Sequence, residues 1–445
     1  MTPVRFLFLT TFYPPYSFGG DGISVRRMVQ ALAARGADIT VVHDRNAYLA
    51  LGGAEPDPAK DAASPNVRIV GLQSRLGPVS LLIAQQTGRA LVHGRALRAL
   101  VAEFRPDVIW HNNVSLMGAP GVLDLPAALR IYEAHEHWLV CPTHVLWRHG
   151  RELCDGRQCL RCVIAYRRPP QLWRHTGYLD RQLDKMDLIV AKSTFSRDKH
   201  RAFGFRHEMQ VLPLFLPPRA GRDGPGPDSD RHPDLPRPAD SAAVHPRPFF
   251  LFAGRLERIK GVQDLFPVFR RQDRADLVIA GDGDFAAELR RLADGAPGIR
   301  FLGRIPPEDL ARYYAAALAS IVPSICYETF GAVLIESFRQ GTPVIARDLG
   351  PFPEIVAASG AGCLFGSEAA LEAAMARIQD DTPWRQTLSR AALAAFDRHW
   401  REERVLEQYG TALAGIARRK SLDDLARRLL QTFGGDMQQP DPPLN

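Results

Sequence analysis

Short runs of consecutive apolar residues alternate along the chain with stretches in which apolar positions recur every three or four residues. Residues 4–10 form an apolar run with the length of a strand buried on both faces. Residues 23–35 follow, with apolar positions on one helical face. Further apolar runs lie at 37–43, 67–72, 108–111, 127–132 and 187–192. This alternation predicts a parallel sheet with helices on both faces.

The same pattern begins again at residue 249. Apolar runs recur at 249–253, 277–280, 299–302, 319–322 and 343–346, and helical patterns separate them. The pattern therefore predicts an α/β fold of two doubly wound, Rossmann-like domains. Ligands of such sheets bind at the carboxyl ends of the strands, so we expect the two domains to face one cleft.

A proline-rich stretch separates the two patterns. Residues 217–248 contain nine prolines and no hydrophobic periodicity, which is typical of a linker. The predicted organisation is an N-terminal domain at 1–216, the linker at 217–248 and a second domain at 249–395. A C-terminal helix at 396–420, expected to cross back to the N-terminal domain, and a polar tail at 421–445 complete it.

Composition and charge narrow the class of protein. The 445 residues are 46% hydrophobic and 24% charged, which excludes a disordered or fibrous chain. The formal net charge is +7, and residues 142–181 hold eight arginines against three acidic residues. This concentration favours an anionic partner there, either an acceptor or a membrane surface, and a solvated face is the alternative interpretation. No apolar run is long enough to span a membrane, so we expect a cytoplasmic protein, with a possible place at the inner membrane face.

The loop 254–261 in the second domain carries Arg255 and Lys260 between Gly254 and Gly261. It follows a predicted strand and opens a helix, whose free N–H groups and dipole suit a phosphate. The arginine offers a planar fork to phosphate oxygens, and the lysine offers a movable charge. A solvated basic loop is the alternative interpretation.

Two glutamates lie near the start of another predicted helix. Glu328 precedes this helix and Glu336 lies inside it, with a side chain that leans back toward the N-terminus. Between them, the N–H groups of Phe330 and Gly331 suit phosphate, while the carboxylates suit ribose or sugar hydroxyls. The alternative is a helix-end charge and an exposed residue on the helix surface.

Two features of the first domain follow predicted strands. The loop with Gly19 and Gly20 lacks the third glycine of a dinucleotide fingerprint, which disfavours NAD and leaves a loop whose backbone approaches a ligand. His135 and His137 end a mid-domain strand, and a histidine there can hydrogen-bond a substrate or transfer a proton. We place this role on His135 and keep His137 as the alternative.

In combination these motifs resemble the family-4 retaining glycosyltransferases of the GT-B, two-Rossmann type, over roughly residues 1–415. The resemblance implies transfer of a sugar from a nucleotide-sugar donor to a hydroxyl of a glycan or lipid-linked glycan, as in polysaccharide biosynthesis, with retained configuration and no catalytic metal. The implied donor contacts are Arg255, Lys260, Gly19, Gly20, Phe330 and Gly331 at the diphosphate, Glu336 at the ribose, Glu328 at the sugar and His135 near the reacting centre.

Four of the six cysteines form a cluster, Cys141-x12-Cys154-x4-Cys159-x2-Cys162. The closing Cys-x2-Cys is typical of zinc, and four thiolates make a closed tetrahedral site. We predict structural zinc, with iron–sulfur second; a disulfide pair and incidental thiols are the other interpretations. A subset of the transferases is similar here too, with a run like residues 135–142 leading into clustered cysteines, so residues 141–181 are predicted to be a cysteine- and arginine-rich insert.

Three other functions remain open. A glycoside hydrolase would use Glu328 and Glu336 as its carboxylate pair, but it leaves the phosphate-type loops unexplained. An RNA-binding protein would use the cysteines and arginines, but it leaves two Rossmann units without a purpose, so we expect no nucleic-acid partner. A nucleotide-sugar epimerase of related fold is the third alternative.

Overall fold

The computed structural model describes residues 2–56, 64–217 and 244–434. Most of the predicted linker, residues 218–243, and the last part of the predicted tail, residues 435–445, lie outside the described residues. The chain divides into two compact units. Unit 1 comprises the chain up to Leu214 and again from Glu402 onward, and unit 2 is Phe215–Arg401.

Unit 1 is built on a parallel sheet with the strand order β3-β2-β1-β4-β5-β8-β9. Its strands are β1 (Arg5–Leu9), β2 (Asp38–Asp44), β3 (Val67–Leu72), β4 (Val108–His111), β5 (Leu129–Ala134), β8 (Leu188–Ala191) and β9 (Gln210–Val211). Leu7 of β1 pairs with Thr40 of β2 and with Ile109 of β4, so β1 is central. The apolar runs form these strands because helices cover both faces of the sheet.

The helices of unit 1 before the linker connect these strands. They are α1 (Gly20–Ala34), α2 (Arg45–Ala50), α3 (Pro78–Thr87), α4 (Gly94–Phe104), α5 (Cys159–Ala165), α6 (Tyr178–Leu183) and α7 (Thr194–Ala202). An antiparallel hairpin of β6 (Trp147–Arg148) and β7 (Glu152–Leu153) precedes α5. The hairpin and α5 form the body of the predicted insert at 141–181.

Unit 2 is a second parallel sheet with the order β12-β11-β10-β13-β14-β15. Its strands are β10 (Phe249–Ala253), β11 (Asp276–Ala280), β12 (Ile299–Gly303), β13 (Ser320–Val322), β14 (Val344–Arg347) and β15 (Gly362–Phe365). Its helices are α8 (Phe266–Arg271), α9 (Ala286–Leu292), α10 (Pro307–Ala316), α11 (Ala332–Arg339), α12 (Phe352–Ser359), α13 (Glu368–Asp380) and α14 (Thr382–Ala395). The predicted fold class of two Rossmann-like sheets is confirmed.

The chain returns to unit 1 through a pair of helices, α15 (Glu402–Arg419) and α16 (Asp423–Phe433). The prediction of a polar tail from residue 421 is wrong for α16, because this helix buries Leu425, Leu429 and Phe433 on one face. Residues 396–401, predicted to belong to the C-terminal helix, form a π-helical turn and a bridge within unit 2. The structure therefore has two helices in place of the single predicted one, and the first of them begins at Glu402.

None of the helices in the described ranges has both the length and the apolar character needed to cross a membrane.

Candidate active site

The loop 254–261 of unit 2 is held tightly against the loop that follows β13. Gly261 adopts a φ of 72°, and a Cβ on it would lie 2.1 Å from the carbonyl oxygen of Pro323. The N–H of Ile325 donates a hydrogen bond to the carbonyl of Ile259 at 2.9 Å. Glycine is therefore required at 261 both by its backbone angle and by the close approach of the second loop.

This close approach brings two of the predicted site residues into contact. Lys260 Nζ lies 2.6 Å from Glu328 Oε1, and the hydroxyl of Ser324 donates to the same oxygen at 3.0 Å. Burial alone would lower the pKa of Lys260, but the carboxylates of Glu328 and Glu257 outweigh it and raise that pKa above its ordinary value. Lys260 is therefore cationic at every physiological pH.

Helix α11 begins directly after Gly331, which has a φ of 101°. A Cβ at Gly331 would lie 2.6 Å from Cε1 of Phe352, and the side chain of Phe330 is buried. The glycine at 331 is thus required by its backbone angle and by packing against Phe352. Glu336 lies on the second turn of α11 and accepts a hydrogen bond from the hydroxyl of Tyr314 at 3.3 Å.

Arg255 takes a more exposed position in the same loop as Lys260. Its guanidinium forms an ion pair with Glu257 at 2.8 Å, and its side chain is 45% exposed. The loop is closed on its other side by Gly281, where a Cβ would lie 1.8 Å from the carbonyl oxygen of Gly254. The glycines at the carboxyl ends of β10 and β11 therefore let the two loops interlock.

The predicted histidine of unit 1 lies just beyond β5. His135 Nε2 is 3.2 Å from Asn112 Oδ1 and 3.4 Å from Glu133 Oε1. Burial lowers the pKa of His135 to about 4, although Glu133 opposes this shift. The imidazole is neutral near pH 7, so it is suited to hydrogen bonding rather than to carrying charge.

His137, the alternative to His135, is directed into the protein. It is 1% exposed, and its ring packs against that of His200 with centroids 5.1 Å apart. The structure thus separates the two histidines of the motif, with His135 next to polar groups at the end of the sheet.

A buried polar network behind His135 was missed by the sequence analysis. Glu133 forms an ion pair with Lys192 and accepts hydrogen bonds from Trp110 Nε1 at 2.5 Å and from the hydroxyl of Tyr409 at 3.3 Å. Burial alone would raise the pKa of Glu133, but Lys192 and His135 hold it below its usual value. The sequence signal that could have indicated this network is a charged residue within or directly after an apolar strand, as at Glu133 and Lys192.

Gly19 and Gly20 lie at the start of α1, at the end of the loop after β1. Gly19 is the N-cap, and a Cβ on Gly20 would meet no atom within 4 Å, so the backbone there is open to approach. Next to them, the Asp21 carboxylate accepts hydrogen bonds from the Gly22 N–H at 2.8 Å and from Asn113 Nδ2 at 3.1 Å. Burial raises the pKa of Asp21.

The four clustered cysteines meet around one small cavity of about 20 Å³ in unit 1. Cys141 and Cys162 are buried, Cys154 and Cys159 are half-buried, and all four are free thiols. Within the described part of the chain, no three histidine, cysteine or carboxylate side chains already stand in an arrangement that could hold a metal ion.

Two family models match the chain, one in each half. Residues 18–218 match the family described as Glycosyltransferase Family 4, and residues 237–394 match Glycosyl transferases group 1. The glycogen synthase of Mycobacterium tuberculosis is 26% identical over 414 residues, covering 87% of this chain and 89% of its own. The D-inositol 3-phosphate glycosyltransferase of Corynebacterium diphtheriae is 35% identical over 179 residues, covering 36% and 42%.

Solved structures of similar fold cover almost the whole chain. Sucrose-phosphate synthase from Thermosynechococcus elongatus has a TM-score of 0.69 and 20% identity, and covers 94% of this chain and 100% of its own. Anabaena HepE in complex with UDP-glucose has a TM-score of 0.60 and 18% identity, and covers 94% and 99%. The fold is therefore GT-B. With the two family models, the matches support a glycosyltransferase whose first half is similar to Glycosyltransferase Family 4 and whose second half is similar to Glycosyl transferases group 1.

Proposed function

We propose that this enzyme transfers a sugar from a nucleotide-sugar donor to an acceptor hydroxyl, with retained configuration and without a catalytic metal. The observation that carries the proposal is the contact between Lys260 and Glu328, where the loop 254–261 of unit 2 packs against the loop that follows β13. It joins a cation suited to a phosphate with an acid suited to a sugar hydroxyl. The likeness in fold to HepE, whose structure contains UDP-glucose, supports the donor class.

The proposed chemistry depends on where negative charge develops. Breaking the bond between sugar and phosphate leaves this charge on the nucleoside diphosphate. Fixed positive groups stabilise it more in the transition state than in the ground state. Lys260, kept protonated by its acidic neighbours, and the exposed Arg255 supply such groups. Two protein cations can therefore take the part that a divalent metal plays in other transferases.

The remaining donor contacts are assigned residue by residue. Glu336, on the exposed side of α11, binds the ribose hydroxyls, and Glu328 contacts the transferred sugar. The N–H groups of Phe330 and Gly331 bind phosphate oxygens. In unit 1 we keep the assignments that the resemblance implies: Gly19 and Gly20 contact the diphosphate, and His135 lies near the reacting centre. The burial of His137 supports the choice of His135.

For the acceptor side we propose a glycan or lipid-linked glycan presented at an anionic membrane surface. Unit 1 exposes large apolar side chains on α3, on α5 and on the 3₁₀ turn at Leu172–His175. The α3 helix contacts this turn, since Trp173 Nε1 donates to the carbonyl of Gln85 at 2.8 Å. On or next to these elements, the exposed apolar side chains are Leu76, Val79, Leu82, Leu160, Ile164 and Leu172, and exposed arginines nearby in sequence are Arg75, Arg157, Arg161, Arg167 and Arg168. Apolar side chains among arginines are typical of a surface that lies on anionic lipid.

A screen of nucleotide sugars by thermal stabilisation tests the donor class, because a ligand that binds the native state raises its melting temperature. We expect one nucleotide sugar to stabilise the wild type and to be turned over. Lys260→Ala should lower kcat/KM by about 10²–10³, as for the loss of one oriented charge donor. Glu328→Gln should abolish turnover while the donor still binds.

The matched control is Glu372→Gln, a change at an exposed glutamate of the same unit that is paired with Arg271. It should leave both binding and turnover unchanged. If no nucleotide sugar stabilises the protein, the proposal is overturned. Cleavage of a plain glycoside that requires Glu328 and Glu336 would favour a hydrolase. Interconversion of two nucleotide sugars in the absence of any acceptor would favour an epimerase.

A further inference from the structure

The four clustered cysteines come from three different local structures of unit 1. Cys141 closes a turn in which its N–H donates to the carbonyl of His137 at 2.8 Å. Cys154 directly follows β7, and Cys159 and Cys162 lie one turn apart in α5. All four line the same cavity of about 20 Å³, a space of the size of one small ion or water.

The elements that carry these thiols are too small to order themselves. β6 and β7 have two residues each, and α5 has seven. An isolated two-stranded hairpin is marginal in water, and so is a helix of this length. Small structures of this kind are commonly fixed by disulfides or by a metal. The thiols in this insert are free, so they are available as ligands.

A buried arginine near two of the thiols is a second observation, although the arginine that lines the cavity itself, Arg148, is paired with Glu152 and Asp155. The guanidinium of Arg174 lies over the rings of Trp138 and Trp173, at 5.0 and 4.8 Å from their centroids. Its Nη2 atom is buried and has no hydrogen-bond partner. The groups that interact electrostatically with it are Cys141, Tyr132, Cys159 and the carboxylate of Glu136. A buried cation with an unsatisfied donor is costly unless an anion stands beside it.

A hydrogen bond to one sulfur also fits a thiolate. The backbone N–H of His149, at the tip of the hairpin, donates to Cys162 Sγ at 3.3 Å. Burial raises the pKa of the Cys159 thiol, and the guanidinium groups of Arg157 and Arg174 oppose this shift. Donors and cations around a cluster of sulfurs stabilise the deprotonated form that a metal requires.

We propose that Cys141, Cys154, Cys159 and Cys162 bind one structural zinc ion in a closed tetrahedral site. Binding releases the four thiol protons and leaves a centre with a net charge of −2, which Arg174 and Arg157 offset. The site joins the turn at Cys141, the hairpin and α5 into one rigid unit beneath the exposed apolar side chains of α5.

The sulfurs must converge for this to happen. Cys141 Sγ now lies 3.3 Å from Thr143 Oγ1, and Cys154 donates to the carbonyl of Gly156 at 3.4 Å. We expect a change of χ1 rotamer to redirect each sulfur toward the cavity that all four cysteines line. These two hydrogen bonds are weak, since sulfur is a poor donor and acceptor, and metal–thiolate bonds replace them.

The test is metal analysis of the full chain, purified without chelators and measured by elemental analysis and native mass spectrometry. We expect one zinc per chain. Cys154→Ser and Cys159→Ser should each reduce the zinc content to a small fraction. Cys363→Ser is the matched control, because this cysteine lies on β15 of unit 2 and should leave the zinc unchanged.

Experiments on the wild type keep the proposal falsifiable even where a serine variant fails to fold. A strong chelator should lower the melting temperature and expose four further thiols to a thiol reagent, and added Zn²⁺ should reverse both effects. A metal-free chain whose stability ignores chelator and Zn²⁺ would overturn the proposal. So would a mass lower by two hydrogens per disulfide, or a coloured iron–sulfur centre. None of these measurements needs turnover, so failure here is distinguishable from failure of the proposed transferase activity.

Discussion

At the scale of single residues, unit 1 is marked by neutral histidines held away from water. Burial lowers the pKa of His43, His111, His135 and His200 to about 4. The ordinary value in an unfolded chain is 6.5. Between these values the unfolded chain binds protons that the folded chain does not, so folding stability falls as the pH falls from 6.5 toward 4. Burial raises the pKa of Asp44 to about 6, which acts in the opposite sense and offsets a part of this loss.

The first prediction concerns His111, whose side chain is fully buried. At about 1.4 kcal/mol per pKa unit, a histidine of this kind costs about 3 kcal/mol of stability by pH 4. We expect His111→Gln to flatten the slope of unfolding free energy against pH between 6.5 and 4. Urea unfolding across this range measures the slope. A loss of stability that is equal at every pH would contradict the prediction, and His175→Gln, at an exposed position, is the control.

At the scale of secondary-structure elements, the ends of β5 and β8 and helix α15 share one buried charge network. Lys192, directly after β8, donates to the hydroxyl of Tyr409 on α15 at 2.8 Å and pairs with Glu133 of β5. Because Glu133 also lies 3.4 Å from His135, this network fixes the surroundings of the proposed catalytic-side histidine. Helix α15 is therefore part of what positions that histidine.

The second prediction is a double-mutant cycle on this network. Lys192→Met leaves the buried carboxylate of Glu133 without its cation, and we expect a loss of about 3–5 kcal/mol. The double variant Lys192→Met/Glu133→Gln should lose much less than the sum of the two single variants. Urea unfolding gives all three values. The exposed pair Arg274–Asp380 is the control, with an expected coupling under about 1 kcal/mol. Additive losses at Lys192 and Glu133 would contradict the prediction.

Strands that are buried on both faces, such as β1 and β10, are predicted well from the sequence, because they require a continuous run of apolar residues. Lys260 and Glu328 were predicted on two loops at the same edge of a sheet, which is consistent with their contact. The close approach of the two loops at Gly261 could not be predicted from the sequence. Helix α16 was not predicted because its apolar face is narrow, formed by Leu425, Leu429 and Phe433, and charged residues occupy most of the positions around it. The partnership of Glu133 with Tyr409 spans 276 residues of sequence, and no local pattern encodes such a contact.

At the scale of the whole molecule, positive charge is concentrated in two segments of unit 1. Residues 64–104 contain five arginines against one glutamate, and residues 142–181 contain eight against three acidic residues. The exposed apolar side chains of α3 and α5 lie in the same segments. Acidic and basic residues are nearly equal in number over the rest of the chain. If unit 1 contacts an anionic surface as proposed, these two segments are the part expected to face it.

The third prediction is binding to vesicles that contain an anionic phospholipid, with little binding to neutral phosphatidylcholine vesicles. Each arginine near such a surface contributes about 1 kcal/mol, so Arg161→Glu/Arg168→Glu should weaken binding by about tenfold or more. Leu160→Ser/Ile164→Ser should also weaken it. Leu364→Ser, at an exposed leucine of unit 2, is the control and should have no effect. Co-sedimentation measures the bound fraction, and equal binding to neutral vesicles would contradict the prediction.

The path of the chain has a consequence for biosynthesis. Unit 2 is inserted within unit 1, which the chain leaves at Leu214 and rejoins at Glu402. The tyrosine that hydrogen-bonds to Glu133 is therefore translated only after the whole of unit 2 has been translated. Unit 1 is therefore the first unit to begin translation and the last to be completed. A premature stop codon after Arg401 would leave unit 2 complete, but it would remove α15 and α16 from unit 1.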